Sequence, residues 1–393
     1  MIYNFDEIID RRGSNCLKYD FAKERGKSDE LLPMWIADMD FKAAPEISKA
    51  LQKLIDHGVY GYTDTKSDYF EAVYNWFHSR HQYELCEEAL IKVPSIVYAI
   101  AAAVQAFTSK GDAIIIQTPV YYPFYDAILR NDRKLVENPL YIENGKYCID
   151  FDDFEKKIVS ENVKMFILCS PHNPVSRVWT KEELLKLGNI CLKHKVLVFS
   201  DEIHCDFVYG TNKHFVFPSL SKEFEDNTIL ATSASKSFSL AGLHNCNIFI
   251  KNKELKRLYQ STIEKAGYSQ PNMMGIAATK AAYKSGGAWF DDLLVYLNEN
   301  IAFMREFIQK NMPKIHMIEP EGTYLIWVDM RELGLDDAKR DEFIEKKAKL
   351  WLNKGSIFGK ASRGFERFNI ACPKATLKEA MERLKKAYDE LES

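Results

Sequence analysis

Between about residues 85 and 250 the chain passes through five short apolar runs: AIIIQ (113–117), KMFILC (164–169), VLVFS (196–200), TILAT (228–232) and NIFI (247–250). Runs this short, apolar on both faces and free of polar alternation suit strands buried from both sides. The stretches between them carry apolar residues three and four apart, as amphipathic helices do. One opens on Thr180 with Glu183 three residues later, a capping-box pattern ahead of LLKLGNICLKHK. Strands that alternate with helices in this way leave one main solution, a largely parallel sheet covered by helices on both faces. The expected class is therefore α/β.

The two ends read differently. Residues 1–45 have few periodic apolar positions and are expected as an extended arm. After about 285 the pattern predicts a long helix (288–311), a strand (323–329), a helix (336–353), a strand (367–372) and a last amphipathic helix (375–391). That is a smaller α+β unit. The organisation expected is an arm and part of a small domain (1–45), a large domain (46–285) and a C-terminal small domain (286–393), with a ligand cleft between domains.

Charge excludes several classes. Lys and Arg number 53 and Asp and Glu 56, a net charge of −3, so no basic excess exists to hold a nucleic-acid backbone. The longest apolar stretch, Ser95 to Thr108, is broken by Gln105 and falls short of the ~20 residues a membrane span needs. MIYNFDEIIDRRG carries acidic residues where a signal peptide needs an apolar core; a cytoplasmic protein is expected. The eight cysteines form no C-x-x-C pair and are expected as reduced, mostly buried thiols. His78 and His81 have helical spacing, but the segment reads as a solvated amphipathic helix, and no metal site is expected.

Open parallel sheets bind ligands beyond the carboxyl ends of their strands. KMFILC is followed by SPHNPVSRVW, VLVFS by DEIHCD, and TILAT by SASKSFSLAGL. Three successive strand ends thus offer Asn173, Asp201 and Lys236. A lysine there can form a Schiff base with a carbonyl compound. A nearby acid can hold a protonated ring nitrogen, and Ser233 and Ser235 can donate to a phosphate. These requirements match pyridoxal 5′-phosphate.

Motifs along almost the whole chain carry a resemblance: NFDEIIDRRG, LPMWIADMDF, YGYTD, TPVYYPF, LCSPHNP, SDEIH, SASKSF with AGL, EGTYLIWVD and GFERFNIACP. The chain resembles fold-type-I pyridoxal-phosphate enzymes of the aminotransferase class I/II superfamily. It is most similar to the MalY/PatB-type cystathionine β-lyases, which are bacterial C–S lyases. The resemblance implies a fold with a large domain built on a mainly parallel mixed sheet and a smaller α+β domain built from both chain ends. It implies that Lys236 carries the cofactor's Schiff base, that Asp201 binds the pyridinium nitrogen and that Asn173 bonds the phenolic oxygen. His204 stands close to that oxygen, where related aminotransferases have a tyrosine. Tyr121 would stack on the ring, while Tyr122 could equally be a core aromatic. Ser233, Ser235 and the backbone amides of Ile96 and Val97 would hold the phosphate at a helix N-terminus. Tyr62 would reach that phosphate from the neighbouring subunit of a homodimer. Arg367, a planar fork suited to a carboxylate, would grip the substrate α-carboxylate with help from the Ala37 backbone.

The implied activity is β-elimination from L-cystathionine or another cysteine S-conjugate, giving thiol, pyruvate and ammonia. Lys236 is the expected base, and Lys236 or Tyr121 the proton donor to sulfur. An aminotransferase is the alternative on the same constellation. A serine acyl-transfer enzyme is formally offered by Ser233-Ala-Ser-Lys236, but the S-D-N and K-T-G strings of that class are absent. A cofactor-retaining binding or regulatory role is compatible with the same residues. Three serines depart from the family pattern. Ser176 and Ser362 replace usual glycines, in loops expected to favour positive φ. Ser239 replaces a frequent asparagine and is expected to alter the pocket wall.

Overall fold

The structure is a computed structural model that describes residues 3–393. Its large sheet contains β1 (Leu90–Val93), β2 (Ala113–Thr118), β3 (Lys134–Pro139), β4 (Met165–Cys169), β5 (Leu197–Asp201), β6 (Thr228–Thr232) and β7 (Cys246–Phe249), in the spatial order β1-β7-β6-β5-β4-β2-β3. β3, β2, β4, β5 and β6 are mutually parallel, and β7 runs antiparallel to both its neighbours. The sheet is thus mixed and mainly parallel, the α/β class expected.

Alternate residues of the same strands feed two separate cores. Ile114, Ile116, Met165, Ile167 and Phe199 pack on one face, against the helix α1 (Ile96–Phe107). Ile115, Phe166, Leu168 and Val198 pack on the other, against α2 (Lys181–Lys193). Period-two alternation with both faces apolar is what makes these runs read as unbroken hydrophobic strings. The capping box at Thr180 and Glu183 forms as expected.

A second, antiparallel sheet holds β8 (His316–Met317), β9 (Leu325–Asp329), β10 (Asn353–Lys354) and β11 (Phe365–Asn369), in the order β8-β9-β11-β10. The helices Gly287–Asn311 and Lys374–Glu392 share a core with it. Residues 3–45 hold little regular structure, but Phe5, Met34, Met39, Phe41 and Ala44 are buried in that same core.

Several expectations need correction. The helix over 336–353 ends early: Asp337–Asp341 is α-helical, Glu342–Lys347 winds as a π-helix, and Leu350–Trp351 pairs in parallel with Leu32–Pro33. The gain is burial of Leu350 and Trp351, the latter stacked on Trp35 with ring centroids 4.5 Å apart. His81 is not solvated. Its Nε2 lies 2.8 Å from Asp206 Oδ1 while His78 stays exposed, because the helix Ser67–His81 ends against a buried acid. The cysteines agree with expectation: five are buried, Cys16, Cys86 and Cys148 are half-buried, and all eight are free thiols. A hairpin, Tyr141–Glu143 with Lys146–Cys148, escaped the sequence reading although Asn144-Gly145 between them is a strong turn signal; both residues take positive φ. Among the described residues no helix is long and apolar enough to cross a membrane.

Candidate active site

Tyr121 follows β2, Asn173 follows β4, Asp201 closes β5, and Lys236 lies in the short helix Ala234–Ser237 that follows β6. β2, β4, β5 and β6 are consecutive parallel neighbours, so the four residues arrive at one edge of the sheet. Over that edge lies a cavity of about 810 Å³ whose lining includes Tyr121, Tyr122, Lys236, Ser239, Asn353 and Arg367. Its far wall is the segment Trp35–Phe41.

Lys236 Nζ donates to the Ala37 carbonyl at 2.8 Å. Burial pushes its amine down to about 8; Arg367 works in the same direction, and Asp38 and Asp201 oppose it. Asp201 is buried and accepts from the Ile203 N–H at 3.2 Å. Burial pushes its carboxyl up to about 7, against the pull of that bond and of Lys236. His204 is held neutral by burial and by the charges of Lys236 and Arg367, and its buried Nδ1 has no partner. Burial also raises the Tyr121 phenol, keeping its proton in place.

The Asp201 environment makes a testable statement about stability. Unfolded, the carboxyl ionises near its ordinary value of 3.8; in the folded chain it does so at about 7. Between those values the folded state keeps a proton that the unfolded state has released, so stability falls as pH rises from about 4 to 7 and levels off above. Asp201→Asn removes that penalty. Urea unfolding of the cofactor-free protein is expected to show the variant more stable by about 4 kcal/mol at pH 8 and little changed at pH 4. An equal difference at both pH values would contradict this account.

Arg367 reaches the cavity from β11. Its Nη1 donates to Asn173 Oδ1 at 2.8 Å, and its Nη2 to the Trp35 carbonyl at 3.0 Å and to Asn353 Oδ1 at 2.5 Å. The guanidinium lies over Phe358, 4.8 Å from the ring centroid. All three acceptors are neutral, and among the described residues no carboxylate pairs with it. A buried, fork-shaped cation oriented by neutral oxygens is a site for an external anion.

The wall segment is clamped from several elements. Asn369 Nδ2 donates to the carbonyls of Ile36 (2.7 Å) and Asp38 (2.6 Å), and the Met39 N–H donates to Ser239 Oγ (2.9 Å). Arg11 pairs with Asp38 and Asp40, and buried Lys18 with Asp40. Sequence reasoning assigned no role to Asn353, Asn369 or Tyr324. Tyr324 lay inside the EGTYLIWVD motif, but Asn353 fell in a stretch read as helix. A fourth such residue, Asp206, accepts from Trp76, His81 and Ser237 and so ties the residue beside Lys236 to the helix Ser67–His81.

Ser233 Oγ caps the helix of Lys236 by accepting from the Ser235 N–H and donates its own proton to the Asn245 carbonyl at 2.8 Å. Ser235 remains half-buried beside it. Ile96 and Val97 occupy the first turn of α1, whose cap Ser95 accepts from the Tyr98 N–H; first-turn N–H groups have no partner within the helix. Tyr62 is 98% exposed and lines a separate cavity of about 500 Å³ with Met273 and Lys280. Ser176 takes positive φ (58°) as expected, but Ser362 does not; its flanking residues Gly359 and Gly364 do. Ser239 instead adopts φ 55°, a serine in a region that favours glycine or asparagine.

The donor set fits pyridoxal phosphate. A half-buried primary amine, a buried carboxyl whose ionisation needs a cation, and an orphaned buried imidazole nitrogen meet at one sheet edge.

The family model described as aminotransferase class I and II matches residues 31–384. The cystathionine β-lyase PatB of Bacillus subtilis (strain 168) is 40% identical over 384 residues, covering 98% of this chain and 99% of PatB. Among solved structures, a pyridoxal-phosphate-bound putative aminotransferase from Clostridium difficile 630 superposes with a TM-score of 0.96 at 42% identity, covering 98% of this chain and all of that one. Cystalysin from Treponema denticola, which contains a pyridoxal 5′-phosphate cofactor, gives a TM-score of 0.96 at 38% identity with both chains fully covered.

Proposed function

The chain belongs to the class I and II aminotransferase family, and from that premise we propose a pyridoxal-phosphate-dependent carbon–sulfur β-lyase that cleaves L-cystathionine or other cysteine S-conjugates. The observation that carries the reading is the cavity itself. It joins a half-buried amine, Lys236, to a buried guanidinium, Arg367, that has no counter-ion among the described residues. An α-amino acid presents the complementary carboxylate.

In this reading Lys236 would bind the cofactor aldehyde, Asp201 would pair with the ring nitrogen, and the Asn173 amide with neutral His204 would face the phenolic oxygen. Tyr121 would lie against the ring. Ser235 and the first-turn amides of Ile96 and Val97 would hold the phosphate, with Ser233 shaping the turn. When bound, pyridoxal phosphate supplies a sink for the electron pair left at the substrate Cα. Arg367 would hold the α-carboxylate, with the Ala37 backbone alongside, and so fix which Cα bond stands ready to break. The Lys236 amine would take the Cα proton. The Cβ–S bond would then break, and the sulfur would leave with a proton from Lys236 or Tyr121. Water completes the conversion of the three-carbon remainder to pyruvate and ammonia.

We further propose a cytoplasmic homodimer in which Tyr62 serves the partner's site. Its exposure, together with that of Ile55, Val59 and Tyr60, supports an interface there. The discriminating measurement is a panel of cysteine S-conjugates assayed for pyruvate and free thiol. Release of both in equal amounts without any added 2-oxo acid is expected. A strict requirement for a 2-oxo acid acceptor would favour transamination, the reading that the C. difficile neighbour's name suggests.

A further inference from the structure

Tyr324 is fully buried, precedes β9, and donates its hydroxyl proton to the Ala37 carbonyl at 3.1 Å. Lys236 Nζ donates to the same oxygen at 2.8 Å. The ring is fixed edge-on against Phe207 (centroids 5.0 Å, 79°) and against His204 (5.8 Å, 64°). The residue before it, Thr323, takes φ 63°, a costly conformation for a β-branched side chain. Thr323 is held there by its N–H donating to the Phe207 carbonyl and by its Oγ1 accepting from the Leu325 N–H. Strain, aromatic packing and a hydrogen bond thus converge on pointing one phenol at the acceptor that holds the amine.

We propose that Tyr324 is a positioning residue for Lys236: by sharing the Ala37 carbonyl it weakens the hold on the ammonium form and keeps the amine available as a neutral nucleophile and base. A carbonyl oxygen can accept two protons, but each donor withdraws electron density from the other. The remaining charged and titratable groups around the amine are Asp38 and Asp201, which favour the ammonium, Arg367, which disfavours it, and the neutral His204 and Tyr121. Burial keeps the Tyr324 phenol protonated, so it remains a donor. The balance without Tyr324 tips toward the ammonium, because Ala37 then serves the lysine alone. This inference rests on the reading of Lys236 as the aldehyde-binding amine.

The test uses the cofactor-free protein and follows the rate of pyridoxal 5′-phosphate capture by absorbance from pH 6 to 10. In Tyr324→Phe the midpoint of the rate profile is expected to rise by about half to one pH unit, with capture at pH 7 slowed about three- to tenfold, as the loss of one competing hydrogen bond implies. Phe207→Leu loosens the packing that aims the phenol but keeps the hydroxyl, and is expected to raise the midpoint by clearly less than Tyr324→Phe does. An unmoved midpoint in Tyr324→Phe, or an equal rise in both variants, overturns the proposal. Capture at the wild-type rate in Lys236→Ala would instead overturn the assignment of Lys236, an outcome separate from either.

Discussion

Lys236→Ala is expected to abolish the visible absorbance of the cofactor-bound protein and the borohydride-fixable link to the cofactor, and to reduce thiol release by about 10³-fold or more. General-base catalysis alone contributes roughly 10²–10⁴-fold, and this residue is asked to hold the cofactor as well. The site around it lowers the amine's proton affinity to about 8, so a usable fraction is uncharged near neutral pH. Burial has already lowered its proton affinity, so the folded chain holds a strong nucleophile near neutral pH. An alanine there removes the amine and leaves the Ala37 carbonyl with Tyr324 as a remaining donor, so the wall segment keeps part of its anchoring. Peptide mapping after borohydride treatment checks the assignment directly. Label attached to any other lysine, with turnover intact, would refute it.

The second large effect is expected from Arg367→Ala. Two charge-assisted hydrogen bonds to a substrate carboxylate, each worth about 1.5–3 kcal/mol, correspond to a fall in kcat/KM of about 10²–10⁴-fold, carried mainly by KM. Cofactor absorbance is expected to persist. Arg367→Lys is expected to rescue little, because one ammonium cannot reproduce the fork that spans Asn173, Trp35 and Asn353. Loss of cofactor rather than of substrate affinity would show that Arg367 serves the ring side of the cavity. The alanine also strands the three oxygens that now accept from Arg367, so a modest loss of stability accompanies the kinetic change.

Asn173 shows how unevenly the site could be read in advance. Its place after the β4 run marked it as a strand-end residue, and the structure places it against Arg367, which lines the cavity. Its side-chain oxygen, however, is engaged by Arg367, 194 residues away, and nothing local to PHNP announces that. Ser233 is a similar case. Its type and neighbours suggested a phosphate donor, and the structure adds that its hydroxyl caps the helix of Lys236 and donates to the Asn245 carbonyl, partners that no local pattern announces. His81 looked like one more polar residue on a solvated helix until Asp206 arrived beneath it from the segment after β5.

The amino-acid string by itself settled the alternation of buried strands and helices, the parallel sheet, and the identity of the groups at consecutive strand ends. Those follow from hydrophobic periodicity and from the rule that parallel strands deliver their carboxyl ends to one edge, both local properties. Tertiary structure alone decided the partners. The Ala37 carbonyl shared by Lys236 and Tyr324, the neutral cradle of Arg367 and the strand at Leu350–Trp351 each join residues more than a hundred positions apart. Proton affinity and orientation in a buried site depend on those distant neighbours through desolvation and hydrogen bonding, and no window of sequence contains them.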